Sequence, residues 1–78
     1  MKRANDISAC IKGALETYFQ DLDGEKPAQI YEMVIKSVER PMLEVILQQA
    51  GGNQTLAAEM LGINRNTLRK KITDHQLL

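Results

Sequence analysis

Residues 53–71 read NQTLAAEMLGINRNTLRKK, and this stretch decides the fold. Two helical segments, Gln54 to Leu61 and Arg65 to about His75, meet through Gly62-Ile63-Asn64. Asn53 and Asn64 stand at the two helix starts, where a side-chain oxygen can accept an otherwise orphaned backbone N–H. Two helices joined by so short a turn cross at roughly 90–120°, as in a helix-turn-helix. That crossing needs small residues at the closest approach, which Ala57 and Ala58 supply, and a permissive turn residue, which Gly62 supplies. Leu56, Met60, Leu61, Ile63, Leu68 and Ile72 are spaced as its apolar anchors.

The remaining face of the last helix carries Asn64, Arg65, Asn66, Thr67, Arg69, Lys70 and Lys71. Arg can donate two hydrogen bonds to guanine O6 and N7, and Asn can pair with adenine or another base edge. In a helix-turn-helix the start of the second helix enters the major groove, so Asn64 and Arg65 are the expected base readers. Thr67, Arg69, Lys70 and Lys71 lie further along, where contacts with phosphate fix register. Asn53 and Thr55 open the preceding helix, whose free N–H groups suit another phosphate. A basic amphipathic helix by itself is often just a solvated face, and each Asn by itself could be a pure cap. Alanines, glycine turn, apolar spacing and basic face together point to DNA.

Working outward, residues 1–50 carry six basic and eight acidic side chains, a net of −2, and residues 51–78 carry four basic and two acidic, a net of +2. All four of those basic residues fall between Arg65 and Lys71. The zero net charge of the whole chain therefore hides a local cluster, and phosphate contacts are screened beyond about 10 Å.

Upstream, Gly51-Gly52 ends a long helix that begins near Pro27-Ala28. Ile30, Val34, Val38, Pro41 and Val45 form one stripe, Tyr31, Ile35, Met42 and Ile46 widen it, and Leu43 and Leu47 lie on the opposite side. Five of the six residues from Met42 to Leu47 are apolar. A helix apolar nearly all round must be covered on more than one side. The pattern stays in phase through Pro41, which favours a kink in one helix over a break. A first helix, about Asp6 to Leu22, carries Ile7, Cys10, Ile11, Ala14, Leu15, Tyr18 and Leu22 on one face, with Asp6 as its expected N-cap and Asp23-Gly24 as its stop.

The expected fold class is all-α, a four-helix chain of one domain, 1–78, with dimerisation helices over 6–50 and a helix-turn-helix over 53–75. A chain of 78 residues buries only about 60% of its unfolded surface. Cys10 and His75 are its only cysteine and histidine, so an internal disulfide and a structural zinc site are excluded. A second copy of the chain is the remaining source of stability. Ile11, Leu15, Tyr18, Val34, Val38, Met42, Leu43, Ile46 and Leu47 are the expected interface of an intertwined homodimer. Cys10 is read as a core residue, His75 as a surface residue at a frayed end, and Tyr18 and Phe19 as core or interface. Asp21, Asp23 and Glu25 are a loop charge run without the spacing of a calcium loop. No nucleophile–base pair, metal cluster or phosphate loop marks an enzyme, and no cofactor or small-molecule substrate is expected. No apolar run approaches the ~20 residues of a membrane span, and no signal peptide follows Met1-Lys2-Arg3, so a cytoplasmic location is the default.

The segments IKGALETYFQDLDG (11–24), IYEMVIKSVERPMLEVILQQ (30–49) and GGNQTLAAEMLGINRNTLRKK (51–71) resemble, in order, the Fis family of bacterial nucleoid-associated DNA-binding proteins. The resemblance spans about Asp6 to Ile72. It implies an intertwined homodimer kinked at Pro41, nucleoid association, and bending of double-stranded DNA with an A/T-rich centre. It assigns DNA contact to Asn53, Thr55, Asn64, Arg65, Thr67, Arg69, Lys70 and Lys71. Departures are visible as well. Only five residues precede Asp6, which implies a short form without the N-terminal arm that activates DNA invertases. Gly51 stands where a basic residue is often found, and Thr73 and Asp74 replace lysines, which implies weaker wrapping of flanking DNA. Two other readings are a C-terminal DNA-binding domain of an NtrC-type activator, against which Met1 and the lack of a ragged linker count, and a helical dimerisation module that binds only protein, which leaves the Arg65–Lys71 cluster without a purpose.

Overall fold

A computed structural model describes the backbone of residues 2–77 and the side chains of residues 5–77. It contains four helices, α1 (Lys2–Asp21), α2 (Ile30–Gln49), α3 (Gln54–Leu61) and α4 (Arg65–Asp74), and no strand among the described residues. The chain is all-α. It divides into two compact units, residues 1–30 and 31–78.

The first unit is α1 with the segment after it. The helix extends further upstream than its expected start, so Asp6 lies inside it and not at a cap. Ile11, Leu15, Tyr18 and Leu22 are half-buried, while Ile7, Phe19 and Cys10 are exposed. Cys10 is thus no core residue of the single chain, because it lies at the edge of the apolar stripe. Tyr18 and Phe19 pack edge to face, with ring centroids 5.5 Å apart.

In the second unit α2 starts later than Pro27-Ala28 implies. Gln29 has φ 55, a left-handed backbone that no helix continues through, so the first turn begins at Ile30. The helix then runs unbroken through Pro41, as the in-phase periodicity requires. Proline leaves the Ser37 carbonyl without its helical N–H. One turn earlier the Ser37 hydroxyl donates to the Met33 carbonyl at 2.7 Å.

The core of this unit is the helix-turn-helix packed on α2. Leu43 and Ala50 at the end of α2, Ala57 and Ala58 of α3, and Leu68 and Ile72 of α4 are buried, with Ile46, Leu47, Leu61, Ile63 and Leu77 packed around them. Leu43, expected at a dimer interface, has no exposed surface within its own chain. Within one chain α2 therefore groups with α3 and α4, whereas the expected organisation places it with α1. The two roles are compatible, because α2 keeps a second apolar stripe: Tyr31, Ile35, Met42 and Val45 remain exposed.

Candidate nucleic-acid interface

The geometry of the site begins at its glycines. Gly51 has φ 63; its N–H donates to the Gln48 carbonyl at 3.1 Å and that of Gly52 to the Leu47 carbonyl at 2.9 Å. This left-handed cap closes α2 and turns the chain sharply into α3. The same device recurs at Gly62, φ 75, whose N–H reaches Ala58 and Glu59 while the Ile63 N–H reaches Ala58 at 3.1 Å. Ala57 is fully buried and Ala58 nearly so, as the close crossing of α3 and α4 demands. Leu56 and Met60, expected as anchors, are 41% and 48% exposed. The inward row of α3 is Ala57, Ala58 and Leu61, and Leu56 and Met60 fall just outside it.

Both asparagine caps form. Asn53 Oδ1 accepts the Leu56 N–H at 3.1 Å, and Asn64 Oδ1 accepts the Asn66 N–H at 2.7 Å. Each side chain thus commits one lone pair of its oxygen to the cap and keeps its NH₂ for an outside partner. Asn64 can therefore donate to a base acceptor or a phosphate while its oxygen holds the helix cap.

Arg65, Thr67, Arg69 and Lys70 are exposed along α4, and Thr55 is exposed in the first turn of α3. With Asn53 and Asn64 they form the outward surface of the helix-turn-helix, while Leu68 and Ile72 are buried beneath. The model for bacterial regulatory proteins of the Fis family matches residues 34–75. A Fis-like DNA-binding protein of Ralstonia nicotianae is 55% identical over 74 residues, covering 95% of this chain and 96% of the relative.

The chain belongs to the Fis family.

A Fis-like DNA-binding protein of Neisseria meningitidis is likewise 55% identical over 73 residues, 94% of this chain and 92% of the relative. The DNA-binding protein Fis of Mannheimia haemolytica is 53% identical over 62 residues, 80% of this chain and 63% of that longer relative.

Two residues of this Fis-family chain stand differently from expectation. Lys71, expected on phosphate, has its Nζ 2.7 Å from Glu39 Oε2 on α2. His75, expected at a frayed surface, has a side chain only 13% exposed, and its Nε2 lies 2.8 Å from Glu39 Oε1. The backbone of His75 also closes α4, its N–H donating to the carbonyls of Lys71 and Thr73, and its carbonyl accepts from the Arg40 guanidinium. The hydrogen bonds from Lys71 and then His75 hold the Glu39 carboxyl below its ordinary pKa of 4.5, against the opposing effect of desolvation. Glu39 gives no local signal in the sequence, because its partners lie 32 and 36 residues away. Among the described residues no cluster of His, Cys, Asp and Glu could hold a metal ion, and no helix is long and apolar enough to cross a membrane.

Proposed function

We propose that this chain is a homodimeric DNA-binding and DNA-bending regulator that reads the major groove with α4 and associates with the bacterial nucleoid in the cytoplasm. The observation that carries this is the outward surface of α4, where Arg65, Arg69 and Lys70 are all exposed on a helix that buries Leu68 and Ile72. Family membership supports the same function, since the relatives from Ralstonia and Mannheimia carry DNA binding in their names. Arg65, in the first turn of α4, donates to a guanine edge. Asn64 donates through its NH₂ beside it. Asn53, Thr55, Thr67, Arg69 and Lys70 hold phosphates and set the register. Lys71, whose ammonium Glu39 holds, stands outside this set.

The exposed stripe of Tyr31, Ile35, Met42 and Val45, with Val34 and Val38 beside it, supports pairing with a second copy. Two recognition helices carried by such a dimer favour DNA that bends toward the protein, so sites with an A/T-rich, easily compressed centre bind best. Gel-shift titration at moderate salt tests this function, with circularly permuted fragments and unlabelled competitor. Binding that survives competitor, with mobility that depends on site position, is expected. No binding refutes the function, and position-independent mobility refutes the bending.

A further inference from the structure

Residues 39, 43, 46 and 50 follow one another at three- and four-residue steps along α2 and its end, on the side that packs against the helix-turn-helix. Leu43 and Ala50 are buried in that row and Ile46 packs against the core. Glu39 is its first member, a carboxylate at the end of an apolar row, with a side chain only 19% exposed. Both of its oxygens are taken by α4 and its cap: Oε2 by the Lys71 ammonium at 2.7 Å and Oε1 by His75 Nε2 at 2.8 Å. A carboxylate only accepts, so the imidazole carries its proton on Nε2. Arg40 adds a second hold, donating to the His75 carbonyl. Two consecutive residues of α2 thus grip the last turn of α4 by side chain and by backbone.

We propose that Glu39 is a positioning residue for DNA recognition, which anchors the end of α4 and withholds Lys71 from phosphate. The inference rests on the DNA-binding function proposed for the helix-turn-helix. A charge-assisted hydrogen bond at this distance is stronger than a neutral one, and it is intramolecular, so a phosphate must displace a partner already in place. A lysine neutralised inside the fold displaces no counterion from DNA, and counterion release is what supplies sequence-independent affinity. Of the four cations of α4, three therefore serve the DNA. The effect is to hold down binding to random sequence while the base contact of Arg65 is untouched.

The test is a salt series of binding titrations on specific and scrambled duplexes, with wild type, E39Q, K71M, K70M and the E39Q/K71M double variant. Glutamine keeps the shape of Glu39 and removes its charge. E39Q is expected to bind scrambled DNA more tightly and to steepen the salt slope by about 1 per bound protomer, as one additional neutralised phosphate does. K71M is expected to leave the wild-type slope unchanged, K70M to flatten it by about 1 per protomer, and the double variant to return to the wild-type slope. An unaltered slope in E39Q overturns the proposal, and so does a loss in K71M equal to that in K70M. Should E39Q lose its helical circular dichroism, the K71M and K70M pair decides alone by the same criterion. Wild type that fails to bind any duplex refutes DNA binding itself and this proposal with it. Binding with the wrong slopes refutes only the role of Glu39.

Discussion

Ile63 returns its backbone N–H to the carbonyl oxygen of Ala58 at 3.1 Å, across Gly62. That bond sets the path from α3 into α4, and it forms only because Gly62 adopts φ 75. A Cβ built at Gly62 meets no atom within 4 Å, so the cost of a side chain there is conformational. Gly62→Ala should destabilise the fold by about 1 kcal/mol. Gly13, in the middle of α1 and equally open, has a helical backbone, and Gly13→Ala should stabilise by about 1 kcal/mol. Urea midpoints of the two variants should move in opposite directions. Equal shifts would show that the turn at Gly62 is not under backbone control.

Asn64 holds a cap and faces outward at once, and substitution separates the two. Asn64→Ala should cost about 1 kcal/mol of stability, because the Asn66 N–H loses its acceptor. Asn64→Asp keeps the accepting oxygen and places a negative charge at a helix start, which is favourable there. The aspartate variant should therefore keep its urea midpoint and yet lose DNA affinity, because it has no NH₂ and repels phosphate. Unchanged affinity in Asn64→Asp would reduce Asn64 to a cap.

The carboxyl of Glu39 gives a sign for acid sensitivity. Its pKa is lowered in the folded chain by hydrogen bonds from Lys71 and His75. The unfolded chain then takes up the proton more readily, so this part of the stability is complete above pH 4.5 and is lost as pH falls through the folded value. The advantage of wild type over E39Q in urea midpoint should be constant near neutrality and shrink below pH 4.5. A difference that stays constant into acid would mean that Glu39 gains nothing from its two partners.

The helix-turn-helix is legible in the sequence because its signals are local. Asn53, Gly62 and Asn64 mark boundaries through backbone needs that no neighbour can override, and α3 and the start of α4 fall where those residues put them. The start of α2 is less legible: Pro27 suits a first turn, but the positive φ of Gln29 postpones the helix, and nothing about a glutamine announces it. Periodicity alone also overestimates the anchors, since Leu56 and Met60 lie one step off the inward row that Ala57, Ala58 and Leu61 occupy. The contact of Glu39 with Lys71 and His75 is invisible in the sequence, because it joins two helices whose register only the packed core determines. The sequence therefore shows the charge of Lys71 and not the carboxylate paired with it.

Dimerisation has a direct thermodynamic signature. The stripe of Tyr31, Ile35, Met42 and Val45 is exposed in the single chain, and association that buries it raises the unfolding midpoint with protein concentration. Met42→Glu adds a charge to that stripe and leaves the buried core of α2–α4 intact. It should shift sedimentation from dimer to monomer and lower the midpoint. A wild-type midpoint independent of concentration over the micromolar range, with monomer in sedimentation, would rule out the homodimer.

Reading and gripping should separate along α4. Arg65 is the first residue of the helix and Lys70 lies more than one turn further on, both exposed. The start of a recognition helix points into the groove and its later turns run out beside the backbone. Arg65→Ala should remove a guanine contact worth roughly 1–3 kcal/mol per half-site. Its specific sites should then bind nearly like random DNA, with a salt slope altered only by the removal of one charge. Lys70→Ala should weaken specific and scrambled duplexes alike and flatten the slope by about 1 for each phosphate it no longer neutralises. Titrations of both variants on both duplexes across a salt series distinguish the roles. Should Arg65→Ala weaken by the same factor on specific and scrambled DNA, Arg65 is a phosphate clamp, and base reading must be sought elsewhere on the surface of α4.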